Sequence, residues 1–290
     1  MYKRQVEHCL GVSAKIKEIL ELKDTKVVVK SQETTHQRET WLTQVISPLR
    51  VSHLKDLAFD LGEKVILISA TPGNPATLAR SLGIGPDEYH ALEMPYTFTE
   101  HENPIWVLPV GKMSRAEKDA TMPKMAHALR VLAKKHKTQK GFVPTYTYDI
   151  ATKLQPLLKD DPRFIWQLNA QSKEECLDRH INSPEPTILI GPSYKEGIDL
   201  IGHLCEWMAI VKFPYLDLGD PIVRERQKSD GDWYPNQSAI DLTQTLGRGI
   251  RSKDCKVETY ILDSLFQNFL DWNAKLLPKY VTDRIVIATK

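Results

Sequence analysis

Apolar positions along the chain fall into two rhythms, one helical and one extended. Between residues 5 and 22, Val6, Leu10, Ile16, Ile19, Leu20 and Leu22 recur with partial helical period and predict a helix, while Val27-Val28-Val29 within residues 26–30 predicts a strand. Ser52, Leu54, Leu57, Ala58 and Leu61 predict a short amphipathic helix, capped by Ser52 and stopped at Gly62. It runs into Val65-Ile66-Leu67-Ile68, a continuous apolar tetrad suited to a strand buried on both faces of a parallel sheet. Ser69-Ala70-Thr71 then crowns the carboxyl end of that strand.

Residues 115–137, rich in Ala, Leu, Lys and Met, predict a long helix. Further strands are predicted at Gly141-Phe142-Val143-Pro144, Thr187–Gly191, Met208–Val211 and Thr259–Asp263. Strands separated by helix-length segments, without Asn-Gly hairpin signals between them, indicate βαβ units and therefore an α/β fold built on a parallel sheet. Ligands bind such sheets at the carboxyl ends of the strands. The Pro- and charge-rich passage Pro95–Pro109 is the predicted hinge between two lobes.

At 290 residues, with 41% hydrophobic and 26% charged positions, the chain has room for a large domain or two modest ones with a sizeable core. The 39 Lys and Arg nearly balance 37 Asp and Glu, so any nucleic-acid binding must use a local patch. Cys9, Cys176, Cys205 and Cys255 form no C-x-x-C pair, which argues against a disulfide framework, a zinc site or an iron–sulfur cluster and suits a reducing, intracellular setting. No apolar run approaches the roughly 20 residues of a membrane span. The N-terminus lacks the pattern of a secretory signal and reads as a chain cut from something longer.

The run Gln244-Thr245-Leu246-Gly247-Arg248-Gly249-Ile250-Arg251 carries the most chemistry. Gln244, Arg248 and Arg251 fall at i, i+4 and i+7, so one helix face would hold an amide and two guanidinium groups. A guanidinium matches phosphate oxygens and stabilises charge during phosphoryl transfer. Gly247 and Gly249 each cost about 1 kcal/mol inside a helix relative to Ala, which points to close backbone approach or an early helix end. A solvated basic helix is the bland alternative. Upstream, Gly191 to Gly202 is a loop of small and polar residues after a buried strand. Amides beside Gly197 can approach a phosphate or sugar, and Glu196 and Asp199 can bond ribose hydroxyls or orient arginines, or the loop simply caps the next element.

Taken together these segments resemble the superfamily 2 helicases, and within them the XPD/DinG-like branch. Ser69-Ala70-Thr71 resembles motif III, Gly141 through Tyr146 motif IV, Ser193 through Asp199 motif V with its Glu-Gly-Ile-Asp signature, and Gln244 through Arg251 motif VI. Their order agrees with the family from about residue 27 to Asp263, and Pro48-Leu49-Arg50-Val51 fits the approach to motif III. Glu-Gly-Ile-Asp followed 45 residues later by Gln-x-x-Gly-Arg-x-x-Arg is the specific part of the match. The resemblance implies a RecA-like second motor lobe over residues 101–290, preceded by a remnant of the first lobe over residues 1–100. It also implies that Arg248 and Arg251 reach the γ-phosphate, that Gln244 senses nucleotide and that Asp199 contacts ribose. Ser69 and Thr71 would link hydrolysis to strand movement, and Thr145, Tyr146, Ser193 and Tyr194 would face single-stranded or forked DNA.

The departures bound the activity. The chain contains no G-x-x-x-x-G-K-[ST], its single Gly-Lys pair, Gly111-Lys112, being followed by Met113, and it has no D-E-x-H box for magnesium. ATP and Mg²⁺ would therefore be held mainly by an N-terminal half carrying Walker A and a DEAH-type box. Where the family continues motif VI to an Asp-x-Gly turn, Asp254 is followed by Cys255 and Lys256. Arg224, Arg226, Lys228, Trp233 and Tyr234 read either as a basic and aromatic patch for single strands or as surface charge and packed rings. Trp41, Trp106, Trp166, Trp207 and Trp272 read as packing residues, and the histidines show no metal spacing. The expected function is the C-terminal motor portion of an ATP-dependent helicase, inactive without its other half; the alternative is a non-catalytic nucleic-acid-binding or regulatory module.

Overall fold

The structure, a computed structural model, describes residues 2–21, 26–36, 39–94, 103–194, 197–250 and 254–287. The chain divides into two compact units, one of Met1–Glu93 with Leu216–Asn236 and one of Met94–Tyr215 with Gln237–Lys290. None of the described helices is long and apolar enough to cross a membrane.

The first unit opens with α1 (Tyr2–Leu20), whose Val6, Leu10, Ile16 and Leu20 are exposed. The Val27 run does form a strand, but not one of a βαβ unit. β1 (Val27–His36) pairs antiparallel with β2 (Glu39–Pro48), from Val27 opposite Pro48 to His36 opposite Glu39. The lack of an Asn-Gly signal therefore does not exclude antiparallel pairing of neighbouring strands. Ser52 opens a 3-10 turn, Ser52–Leu54, leading into α2 (Lys55–Phe59), without the predicted side-chain cap.

Val65–Ile68 is the main correction in this unit. The segment is not a strand, and Ile66 and Ile68 are 83% and 91% exposed. A strand needs at least one hydrogen-bonded neighbour, and the sheet described in this unit is the two-stranded β1–β2 hairpin, in which this run takes no part. α3 (Pro75–Leu82) follows, with Asn74 accepting from the Thr77 amide, Pro75 in the first turn and Gly83 closing the helix at φ 77°. Residues 216–236 join through α7 (Pro221–Ser229): Lys30 donates to Asp220 at 2.9 Å, Arg80 to Asp230 at 3.1 Å and Arg226 to Ser81 Oγ at 2.7 Å.

The second unit is a seven-stranded, wholly parallel sheet in the order β5-β6-β4-β7-β8-β3-β9. Its strands are β3 (Ile105–Gly111), β4 (Gly141–Pro144), β5 (Phe164–Trp166), β6 (Ile188–Gly191), β7 (Trp207–Ile210), β8 (Glu258–Asp263) and β9 (Ile285–Ile287). Helices α4 (Lys118–Lys135), α5 (Tyr148–Leu158), α6 (Lys173–Asn182), α8 (Trp233–Leu246, in this unit from Gln237 onward), α9 (Leu265–Asn273) and α10 (Lys279–Thr282) complete this part of the chain.

Strand alternation divides the core in two. Leu189, Phe142, Met208 and Ile261 pack with Leu242 and Leu246 of α8 and Phe266 and Phe269 of α9. Ile188, Ile190, Val143 and Trp207 pack instead with Met125 and Leu129 of α4 and Ile150 and Leu154 of α5. Successive side chains of a strand point to opposite faces, so a short apolar run such as Ile188-Leu189-Ile190 fills both layers.

The predicted hinge passage Pro95–Pro109 contains most of β3 from Ile105 onward, while residues 95–102 lie outside the described residues. Pro109 obscured the strand in sequence, and its presence accompanies a shift of register between Val107 and Gly111. Trp272, expected to pack, is 82% exposed, whereas Trp207 is wholly buried.

A buried histidine makes this unit sensitive to acid. His180 on α6 is wholly buried, with Nε2 2.8 Å from the Leu204 carbonyl and Nδ1 2.8 Å from Thr187 Oγ1. A carbonyl only accepts, so Nε2 carries the proton and Nδ1 accepts from Thr187. Burial, the dominant cause, pushes its pKa down from the ordinary 6.5 to about 4. Its contribution is fully present above pH ~6.5 and lost as pH falls toward about 4, a loss on the order of 3 kcal/mol. Urea unfolding across this window should show the wild type losing that much more stability than His180→Gln; equal losses would rule the histidine out as the cause.

Candidate functional site

The two segments with the most specific motif character, 50 residues apart in sequence, meet in the second unit. After β6 the chain passes through Ser193 and Tyr194; Lys195 and Glu196 lie outside the described residues, so the candidate role of Glu196 has no structural counterpart. Gly197 has φ 74°, a left-handed conformation that disfavours side chains, and a Cβ there would meet nothing within 4 Å. Its backbone is thus open to approach. Ile198 is buried, Asp199 is exposed and Leu200 is buried.

From the other side, α8 begins at Trp233, two residues before Pro235, which a first helical turn tolerates because its missing N–H needs no partner. The helix carries Gln244 and ends at Leu246, and the Arg248 amide then bonds the Thr245 carbonyl at 3.1 Å. Both glycine readings hold here: Gly247 follows the helix end, and a Cβ on Gly249 would lie 2.8 Å from Val257 and 3.1 Å from Cys205 Sγ. Because the helix stops first, Arg248 is not on a continuous helical face with Gln244. Arg251 lies outside the described residues.

Arg248 closes the arrangement. Its Nη1 donates to the Ile198 carbonyl at 2.9 Å, and its own carbonyl accepts from the Leu200 amide at 3.1 Å. One residue thus holds two backbone groups flanking Asp199. The structure therefore brings together Gly197, Asp199, Gly247 and Arg248, with Gln244 in the last turn of the adjoining helix.

The loop after β4 reaches the same helix. Tyr146 has φ 57°, the left-handed region that non-glycine residues seldom occupy, and its hydroxyl donates to Thr245 Oγ1 at 2.9 Å. The Thr245 hydroxyl in turn donates to the Asp241 carbonyl at 2.8 Å. Burial pushes the Tyr146 phenol well above its ordinary pKa, so it serves as a neutral donor. Thr145 and Tyr194, predicted to face nucleic acid, are both wholly buried. The Thr145 hydroxyl bonds the Thr147 carbonyl and the Tyr194 hydroxyl the Lys173 carbonyl, so both side chains serve the fold. Ser193 remains partly exposed.

Two residues without a sequence signature organise this edge. Gln167, immediately after β5 and wholly buried, accepts from the Ser193 amide at 3.2 Å and donates to the Asn169 carbonyl at 3.2 Å and to Tyr148 Oη at 3.4 Å. Tyr148 lies 2.8 Å from Ser193 Oγ. A lone Gln and a helix-initiating Tyr are invisible in sequence, because their meaning comes from three strand ends converging. On the other half of the edge, the buried Asp263 carboxylate accepts amides of Met113, Leu265 and Phe213. Burial raises its pKa, against the lowering effect of those donors.

In the first unit, Ser69 is exposed and its hydroxyl accepts from the Thr71 amide at 3.1 Å, a local turn rather than a strand end. The basic and aromatic patch resolves toward packing. The Arg226 guanidinium lies 4.2 Å over the Trp233 ring, Lys228 pairs with Glu225 at 2.8 Å, and Tyr234 donates to the Leu216 carbonyl at 3.0 Å. Among the described residues no group of three or more His, Cys, Asp or Glu is placed to hold a metal ion.

A family model described as the helicase C-terminal domain matches residues 128–283. No curated protein sequence matches the chain. Among solved structures, an apo XPD structure aligns with a TM-score of 0.60 at 19% identity, covering 84% of this chain and 53% of that one. An XPD helicase structure aligns with a TM-score of 0.59 at 18% identity, covering 84% and 46% respectively. The chain thus spans about half the length of these structures, and at this identity the likeness establishes the RecA-like fold.

If Arg248 holds the Gly197 loop, Arg248→Ala should speed hydrogen exchange of the Leu200 amide by about tenfold, the size expected from losing one net hydrogen bond. Exchange at the wild-type rate would show that the guanidinium does not restrain the loop.

Proposed function

This chain belongs to the helicase C-terminal domain family, and from that premise we propose that it is the C-terminal motor portion of an ATP-dependent DNA helicase, working with a second segment that carries Walker A and a DEAH-type box. The observation that carries the reading is the Arg248 clasp, which joins the Glu-Gly-Ile-Asp loop to the Gln-x-x-Gly-Arg-x-x-Arg turn through the Ile198 carbonyl and the Leu200 amide.

In this reading ATP is the substrate, and its phosphates and magnesium belong to the other half. Arg251 stabilises charge on the transferring phosphoryl group, the role arginine fills in phosphoryl transfer. Arg248 reaches the same site while tying movement of the turn to the Gly197 loop, where Glu196 and Asp199 address the ribose. Gln244 senses the nucleotide. Tyr146 and Ser193 lie on the loops that face the DNA backbone, and Ser69 and Thr71 link hydrolysis to movement of the strand. Closing and reopening of the cleft then steps the DNA.

The exposed Val65–Ile68 run supports the need for a second segment. It has the composition of a doubly buried parallel strand, yet no described strand pairs with it. A Walker-bearing half with a parallel sheet offers the neighbours this run lacks, which would withdraw four exposed apolar side chains from water. The alternative, a regulatory module without turnover, draws on the lack of a phosphate cradle in this sequence.

Mixing the full chain with a Walker-bearing half and measuring DNA-stimulated ATP hydrolysis tests the proposal. We expect stimulated turnover that Arg251→Ala lowers by about a thousandfold or more. An unchanged rate in the variant would remove the arginine from phosphoryl transfer, and no turnover with any such half would favour the regulatory module.

A further inference from the structure

We propose that Gln167 and Tyr148 are positioning residues that set the direction of a hydrogen-bond chain ending at Ser193. In that direction the Ser193 hydroxyl proton points outward and donates to an acceptor-only group, a phosphodiester oxygen of single-stranded nucleic acid. The inference rests on the reading that this loop faces nucleic acid, and it supplies the recognition chemistry that reading lacks.

Two backbone groups that have no choice fix the Gln167 end of the chain. The Ser193 N–H can only donate, so the Gln167 oxygen faces it, at 3.2 Å. The Asn169 carbonyl can only accept, so the Gln167 NH₂ faces it, also at 3.2 Å. Between them they exclude the flipped amide. Burial of Gln167 holds the arrangement, and Gly191 makes room for it, since a Cβ there would lie 2.5 Å from Gln167 Oε1.

The remaining Gln167 N–H points at Tyr148 Oη, 3.4 Å away. Tyr148 Oη and Ser193 Oγ lie 2.8 Å apart, a pair in which either oxygen can donate; with the phenol accepting from Gln167 and no other acceptor for its proton among the described residues, we assign that proton to Ser193 Oγ. Each bond polarises the next in the same sense. Ser193 Oγ then accepts from within the protein and keeps its own proton for the outside, where the residue is partly exposed. An outward donor beside carboxyl strand ends suits a phosphate oxygen, which offers lone pairs and no proton. With Gln167 reversed, Ser193 would instead present lone pairs to that oxygen and repel it.

The test is binding of the full chain to a fluorescent oligodeoxythymidylate, followed by anisotropy. Ser193→Ala should weaken binding by about tenfold, the worth of one hydrogen bond to a charged acceptor. Tyr148→Phe should weaken it about threefold by leaving the hydroxyl unoriented, and the double variant should bind no worse than Ser193→Ala, because one chain serves both residues. The salt dependence of binding should be the same in all, since no charge is removed. Gln167→Glu offers Tyr148 an acceptor and reverses the chain. It should bind as weakly as Ser193→Ala, and adding Tyr148→Phe should restore part of the loss.

Circular dichroism checks that Gln167→Glu folds; if it does not, the Ser193 and Tyr148 cycle decides the matter. Additive losses in the double variant would overturn the directed chain while leaving Ser193 as a contact. A Ser193→Ala variant that binds like wild type, or a wild type that does not bind, would overturn the underlying reading and this inference with it.

Discussion

Backbone groups that leave a parallel sheet at its carboxyl edge still need partners, and in this protein two buried side chains supply them. Asp263, ending β8, gathers amides that follow β3 and β7 on either side of it together with the first amide of α9. Gln167, ending β5, gathers the Ser193 amide after β6, the Asn169 carbonyl and the Tyr148 hydroxyl after β4. An unpaired buried amide or carbonyl is costly, so each residue stabilises several chain segments at once. The loops between are held in shape without strands of their own, with Gly197 and Asp199 exposed and Ser193 partly exposed.

The same edge also carries conformational strain. Tyr146 occupies a left-handed conformation at the end of β4, and its hydroxyl is committed to Thr245 in the helix that carries Gln244. Such strain persists where the surroundings over-determine it. Here the surroundings are the strand before it, α5 after it and the hydrogen bond across to α8. Arg248 makes a comparable commitment in the opposite direction, from the end of α8 to the Ile198 carbonyl. The β4 loop, the β6 loop and the end of α8 are therefore linked by side chains within one unit.

Much of this was legible from residue patterns alone. Short apolar runs announced β4, β6, β7 and β8, and the Glu-Gly-Ile-Asp and Gln-x-x-Gly-Arg-x-x-Arg spacing announced the two segments that meet at Arg248. Gly249 signalled close approach, and Cys205 and Val257 supply it. β5 and β9 were missed because three-residue strands carry no periodicity, and β3 because Pro109 interrupts its pattern. The helicase resemblance implies that Thr145 and Tyr194 face nucleic acid, yet their hydroxyls bond carbonyls inside the fold.

By itself, the sequence determined the parallel α/β class, the helicase-like order of motifs and the absence of a Walker cradle, because these depend on residue type and local spacing. Only the tertiary structure decided that Val65–Ile68 lies outside any described sheet, that β1 and β2 pair antiparallel, and that Gln167, Tyr148 and Ser193 share one hydrogen-bonded cluster. Those outcomes depend on which backbone edges and hydrogen-bonding groups arrive side by side from distant parts of the chain. No local pattern encodes that meeting, since the same Gln or apolar tetrad behaves differently according to the neighbours that reach it.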